Sequence, residues 1–158
     1  MKIRTSGLPL KIDLRSCYES VRFFGKKLLP DKIYSSIKIK IDFVEDIEDF
    51  AYCQWNDTNF KGRNFTITVD SNLSIKETLL ALAHEMVHVK QYATGQMKDY
   101  IRLPKTRWNN KVFEHDKIDY WDQEWEIEAH GREKGLVVHF LDYKKSKVDW
   151  KGNGKWVL

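Results

Sequence analysis

The stretch from Ser74 to Gly95 constrains this chain more than any other. Ile75, Leu79, Leu82, Met86, Val89 and Ala93 follow one another at spacings of four, three, four, three and four, the period of an α-helix with one apolar face. Ser74 with Glu77 three residues on reads as a capping box that starts the helix, and Gly95 as its C-terminal stop. Off the apolar stripe sits His84-Glu85-Met86-Val87-His88. Residues four apart on a helix project to the same side, so both imidazoles can reach one metal ion. A zinc ion held by two histidines and a third protein ligand lowers the pKa of a water it holds from about 15.7 toward about 7, and a neighbouring carboxylate, here Glu85, can take that proton.

The 158 residues suit one domain with a core of its own. No run approaches the roughly eighteen apolar residues of a membrane span. Met1 to Pro9 carries charge but no apolar stretch of the secretory kind, so a whole chain of this sequence is expected to be cytoplasmic. Cys17 and Cys53 form neither a Cys-x-x-Cys pair nor a disulfide framework; both read as small core residues, in keeping with a reducing compartment. The net charge of +4 is mild, and its densest segment is Lys144-Lys145-Ser146-Lys147 in a basic tail, 142–158. A nucleic-acid partner is only weakly supported, because neither a strong basic patch nor a known module is present.

Leu14, Tyr18, Val21, Phe24 and Leu28 predict a helix from about Asp13 to Leu28, with Ser16 and Glu19 as a capping box, a weak point at Gly25 and a stop at Pro30. The period then changes. Ser36 to Phe43 and Asn64 to Asp70 alternate strictly, and Phe50 to Trp55 is a further strand candidate; short connections predict an antiparallel three-stranded meander. After Gly95 the pattern loosens for about thirty residues, a length that is usually functional or disordered. Within it Arg107 to Phe113 reads as a hairpin turning at Asn109-Asn110, and the aromatic, acidic run through Asp116, Asp119, Tyr120, Trp121 and Asp122 reads either as a substrate-contacting lid or as packing. A last helix is predicted from about Asp122 to Leu141, where Gly131 and Gly135 could let a second helix approach closely. Beyond it Trp150 and Trp156 suggest a docked tail.

Two histidines leave a catalytic zinc one protein ligand short. His115, His130, His139 and the carboxylates of the last helix are the candidates. Glu126 and His130 are four apart and face the same way, as does Glu133, whereas Glu128 points about 200° round from Glu126. His84-Glu85-Met86-Val87-His88 followed by Glu126-Ile127-Glu128-Ala129-His130 resembles the zincin metallopeptidases of the gluzincin or minigluzincin type, over roughly Phe65 to Leu136. The resemblance implies an α+β minimal zincin core: a small antiparallel three-stranded sheet packed on an N-terminal helix, the His-Glu-x-x-His helix and a glutamate-bearing C-terminal helix, as a single domain over 1–158. It implies Glu126 as third ligand, Ala129 as the small residue against the metal helix, and His130 in the place of a partner that orients a ligand. His130 is itself a competent ligand, however, and a three-histidine site would be similar to the neighbouring SprT-like metallopeptidases, although their cysteine-rich zinc ribbon is absent here. Glu128 is the third alternative, and Glu124 is expected on a solvated face.

The function expected is a zinc metallopeptidase acting on a peptide or protein substrate, with one Zn2+ held by His84, His88 and Glu126 and with Glu85 as general base. Candidates to stabilise the oxyanion are His115, Tyr120, Arg132 and Tyr100. By the resemblance, an extended substrate pairs with a sheet edge beside the metal helix. The competing readings are a catalytically silent zinc-binding module and a protease acting on nucleic-acid-bound proteins. An intact Glu85 argues against the first, since structural zinc sites close with four protein ligands and need no such carboxylate.

Overall fold

A computed structural model describes residues 1–57, 62–100 and 103–149. The described chain is α+β: β1 (Lys2–Ser6), α1 (Leu14–Leu28), α2 (Asp31–Ser36), β2 (Lys38–Val44), β3 (Ala51–Trp55), β4 (Asn64–Asp70), α3 (Ile75–Thr94), β5 (Met97–Asp99), β6 (Lys105–Trp108), β7 (Lys111–Glu114) and α4 (Glu124–Asp149), with 3-10 turns at His115–Lys117 and Tyr120–Asp122. No helix among the described residues is long and apolar enough to cross a membrane.

The main sheet departs from the expected meander. Its strand order is β1-β2-β4-β3, with β1 parallel to β2, β2 parallel to β4, and only β3 antiparallel to β4. Alternation of apolar residues is the same whichever way a strand runs, so the period of two locates a strand without its direction. Parallel pairs need a long return, and α1 with α2 supplies the one between β1 and β2. β1 has a weak signature because it half-buries only Ile3 and Thr5. Just after it, Gly7 sits at φ 70°, and a Cβ there would lie 2.1 Å from the Phe43 carbonyl oxygen, so only glycine lets the chain pass β2.

A three-stranded antiparallel sheet does exist, but the segment after Gly95 builds it, as β5-β6-β7. The β6–β7 hairpin turns at Asn109 and Asn110, both at positive φ (45° and 69°), as a two-residue hairpin turn requires. What reads in sequence as a loose connection is therefore largely ordered structure.

The helices follow their caps. Asp13, rather than a Ser16–Glu19 box, caps α1: its carboxylate accepts from the Ser16 amide at 2.8 Å and the Ser16 hydroxyl at 2.7 Å, while Glu19 pairs with Arg15 and Lys144. α1 does not end at Gly25, where the side chains of Met1 and Tyr34 approach closely. The Ser74–Glu77 box and the left-handed Gly95 bound α3 as expected. α4 runs on to Asp149, so the first part of the basic segment is helix and not tail. The expected docking of Trp150 and Trp156 lies outside the described residues.

One core joins these parts. Val21 and Phe24 of α1, Ile39 and Ile41 of β2, Ile67 and Val69 of β4, Leu82 and Met86 of α3, and Phe140 of α4 are all buried. Each such side chain is worth about 1.5–3 kcal/mol relative to exposure. Of the expected α3 stripe only Ile75, in the first turn, is exposed. Ala129 of α4 is fully buried, whereas a Cβ on Gly131 or Gly135 would meet nothing within 4 Å, so those glycines do not set the approach of α3. Cys17 is buried and Cys53 half-buried, both as free thiols.

Candidate metal centre

α3 and α4 pack against each other and bring their polar residues to one point. His84 Nε2 lies 3.1 Å from His88 Nε2 and 3.2 Å from Glu126 Oε2, and His88 Nε2 lies 3.5 Å from Glu126 Oε1. Metal–ligand bonds of about 2.0–2.1 Å in a tetrahedron put neighbouring donor atoms about 3.3–3.4 Å apart. The two Nε2 atoms lie near that spacing from each other, and each lies near it from one of the two Glu126 oxygens.

The second ring nitrogens fix what the first ones present. His88 Nδ1 faces Gln91 Oε1 at 2.8 Å. The orientation of the Gln91 amide follows from its own partners, since its NH2 group donates to the Trp125 carbonyl at 2.9 Å and to Glu128 Oε2 at 3.2 Å. His88 therefore carries its proton on Nδ1. His84 Nδ1 faces Glu133 Oε2 at 2.9 Å, which assigns the same tautomer. With each Nδ1 engaged in this way, both Nε2 atoms converge on a carboxylate, where they carry a proton to it in the metal-free chain and would present lone pairs to a cation that replaced that proton.

His130 stands at the open side. Its ring centroid is 4.5 Å from that of His84, its Nε2 is 3.1 Å from the Tyr120 hydroxyl, and Trp121 stacks on it at 5.0 Å. His84, Glu126 and His130 each offer one donor atom within 4.8 Å of the others, a group that could hold a metal ion. As an orienting partner, however, His130 is displaced by Glu133, which takes His84 Nδ1 and lies only 3.4 Å from His130 Nδ1. Helical spacing places Glu133 on the face of Glu126 and His130 without a role, and Gln91 is not singled out in sequence, although it lies three residues after His88 and so on the same side of α3.

Glu85 is 5 % exposed and makes no hydrogen bond or ion pair with any described residue. Burial pushes its carboxyl above the usual range, against the pull of His88 and His84. For His88, burial disfavours the charged form, but the Glu126 carboxylate outweighs it and pushes the imidazole up to about 9; His84 is raised by the same contest. Glu126 is held well below the ordinary carboxylate range: burial is outweighed by hydrogen bonds from His84, His88 and Tyr120.

The other candidates separate cleanly. Glu128 turns to Lys90 and Arg132, at 2.7 and 2.9 Å. Glu124, though exposed, accepts from the Trp108 indole at 2.7 Å. Of the proposed oxyanion donors, Tyr120 reaches the centre, donating to Glu126 Oε2 at 2.9 Å. His115 lies farther along the same cleft against Thr106 at 2.7 Å, Arg132 is engaged by Glu128, and Tyr100 is an exposed residue outside the cleft lining, as is His139. The cleft holds about 780 Å³ and runs from this His–Glu cluster along Phe50 to Cys53. Those residues lead into and lie on β3, the edge strand of the main sheet, which packs against α3.

No protein-family model, curated protein or solved structure matches this chain.

Proposed function

We propose that the protein is a zinc-dependent metallopeptidase. The observation that carries this reading is the convergence of His84 Nε2, His88 Nε2 and the Glu126 carboxylate at 3.1–3.5 Å, with both Nδ1 atoms engaged by acceptors and Glu85 buried beside them without a hydrogen-bond or ion-pair partner among the described residues. Two imidazoles and one carboxylate, with a side open to a cleft, suit zinc at a catalytic position better than a closed structural site. Zinc bound there supplies a Lewis acid that acidifies water and polarises a carbonyl.

The chain's residues do the rest. Glu85 takes a proton from the attacking water and returns it to the departing amine nitrogen; its raised affinity for the proton suits it to both halves of that transfer. Glu133 and Gln91 hold the two imidazoles in the required tautomer. Tyr120, whose single hydroxyl proton goes to Glu126 in the free protein, would have to turn it to the substrate to hydrogen-bond the oxygen on which charge develops. An extended substrate pairs with β3, an edge strand of the main sheet among the described residues, which borders the cleft.

Cleavage of an unstructured protein by purified protein tests the reading. Activity should vanish on chelation, return with one equivalent of zinc, and be absent from Glu85→Gln. Cleavage that survives both chelation and Glu85→Gln refutes it.

A further inference from the structure

The charge of the cleft opposes the charge of the chain, and this bears on which substrates the proposed peptidase takes. Overall, 27 Lys and Arg outnumber 23 Asp and Glu. In the cleft the balance inverts: among the described residues no Lys or Arg lines it, and seven carboxylates do. Three of these are Glu85, Glu126 and Glu133 at the metal centre. The others are Glu48 and Asp49 in the turn before β3, Glu77 in the first turn of α3, and Asp99 at the end of β5. A bound dication offsets two charges and leaves five.

Partners within the protein offset only part of the rest. Glu77 caps α3 and feels the charges of Lys11 and Lys76, whereas Asp99 accepts from the hydroxyls of Tyr92 and Thr106, which are neutral donors. Glu48 and Asp49 are exposed and make no hydrogen bond or ion pair with any described residue. Glu85, 5 % exposed and facing the same cleft, has no such partner either, so carboxylates without a hydrogen-bonding partner among the described residues extend from the rim to the reacting centre. The charge on Asp49 is felt at both Glu85 and Tyr120. Beside this turn Phe50 and Tyr52 line the cleft with 61 % and 41 % of their surface exposed. Aromatic faces next to carboxylates suit a long aliphatic stem ending in a cation.

We infer that the cleft selects polypeptide segments bearing lysine or arginine, the Glu48–Asp49 turn receiving the cationic head and Phe50 and Tyr52 flanking its stem. This selection rests on the peptidase reading for its consequence but not for its measurement. Long-range attraction to a chain of net charge +4 favours acidic partners, so a preference for basic peptides must originate in the cleft.

The test is binding of fluorescent, unstructured peptides of equal length to the zinc-loaded, full-length Glu85→Gln protein. One peptide carries Lys and Arg at alternate positions, the other Glu and Asp, in the same neutral background. The basic peptide should bind at least about tenfold tighter at low salt, the gap should shrink as salt screens it, and Glu48→Lys with Asp49→Lys should close it. Equal binding, or tighter binding of the acidic peptide, overturns the inference. A gap that survives the double substitution in a protein of unchanged circular dichroism overturns the assignment to this turn. Binding of basic peptides by a protein whose wild type cleaves nothing leaves charge selection standing and refutes the peptidase reading instead.

Discussion

Replacing Gln91 by leucine tests the metal centre through a residue that never touches the metal. Gln91 is fully buried and makes three contacts: it accepts from His88 Nδ1 at 2.8 Å and donates to the Trp125 carbonyl and to Glu128. Leucine is close in volume, so packing is nearly conserved, and Glu128 keeps Lys90 and Arg132. What is lost is the acceptor that holds the His88 proton on Nδ1. Removing such a partner weakens metal binding by about 10–100-fold, or about 1.4–2.7 kcal/mol. A buried N–H left without an acceptor adds a stability cost of about 1–3 kcal/mol, visible in the metal-free protein. Competition with a chromophoric chelator measures the first effect and thermal unfolding without metal the second. Gln91→Glu separates them: it keeps the acceptor for His88 but sets a second carboxylate against Glu128, so stability should fall while zinc affinity largely holds. Wild-type zinc affinity in a folded Gln91→Leu protein would refute the assignment of His88 Nε2 as a ligand held by this hydrogen bond.

Glu126→Ala should abolish stoichiometric zinc retention on a desalting column, whereas His130→Ala should retain one zinc per chain. Zinc affinity should rise with pH up to about 9, by about tenfold per unit for each proton displaced, because His88 is raised to about 9 in the metal-free chain and must lose its proton to bind; chelator competition at several pH values reads this. The same shift makes His88 stabilising in the metal-free protein below its unfolded value of about 6.5, with that contribution lost as pH rises through about 9, so the metal-free melting temperature should fall over that window while the zinc-loaded one does not. Ser74→Ala removes the hydroxyl that accepts from the Glu77 amide at 3.3 Å and should cost about 1 kcal/mol in chemical denaturation, without changing zinc stoichiometry.

α3 was legible residue by residue, because its cap, its stripe, its glycine stop and its two histidines are all local signals. The β6–β7 turn at Asn109-Asn110 was legible for the same reason. Strand direction was not: Ile39 pairs beside Phe65 in a parallel ladder, yet the alternation of both strands fits either orientation. The order of β5, β6 and β7 was hidden because their apolar alternation is short; Thr106 and Trp108 are the buried residues of a strand that also carries Lys105 and Arg107. At the site, spacing narrowed the α4 face to Glu126, His130 and Glu133 but could not divide their roles. That division depends on how α4 sits against α3, which places Glu133 on His84 Nδ1 and His130 toward Tyr120. Gln91 was passed over because its importance lies in an amide orientation fixed by Trp125 and Glu128, thirty-four and thirty-seven residues away.

X-ray absorption at the zinc edge of the stoichiometrically loaded protein tests the centre most directly. Two imidazoles and one carboxylate oxygen at about 2.0–2.2 Å, with one further light ligand, are the expected result. A shell of three imidazoles would move the third ligand from Glu126 to His130, and failure of the purified protein to retain zinc would contradict the metal centre altogether.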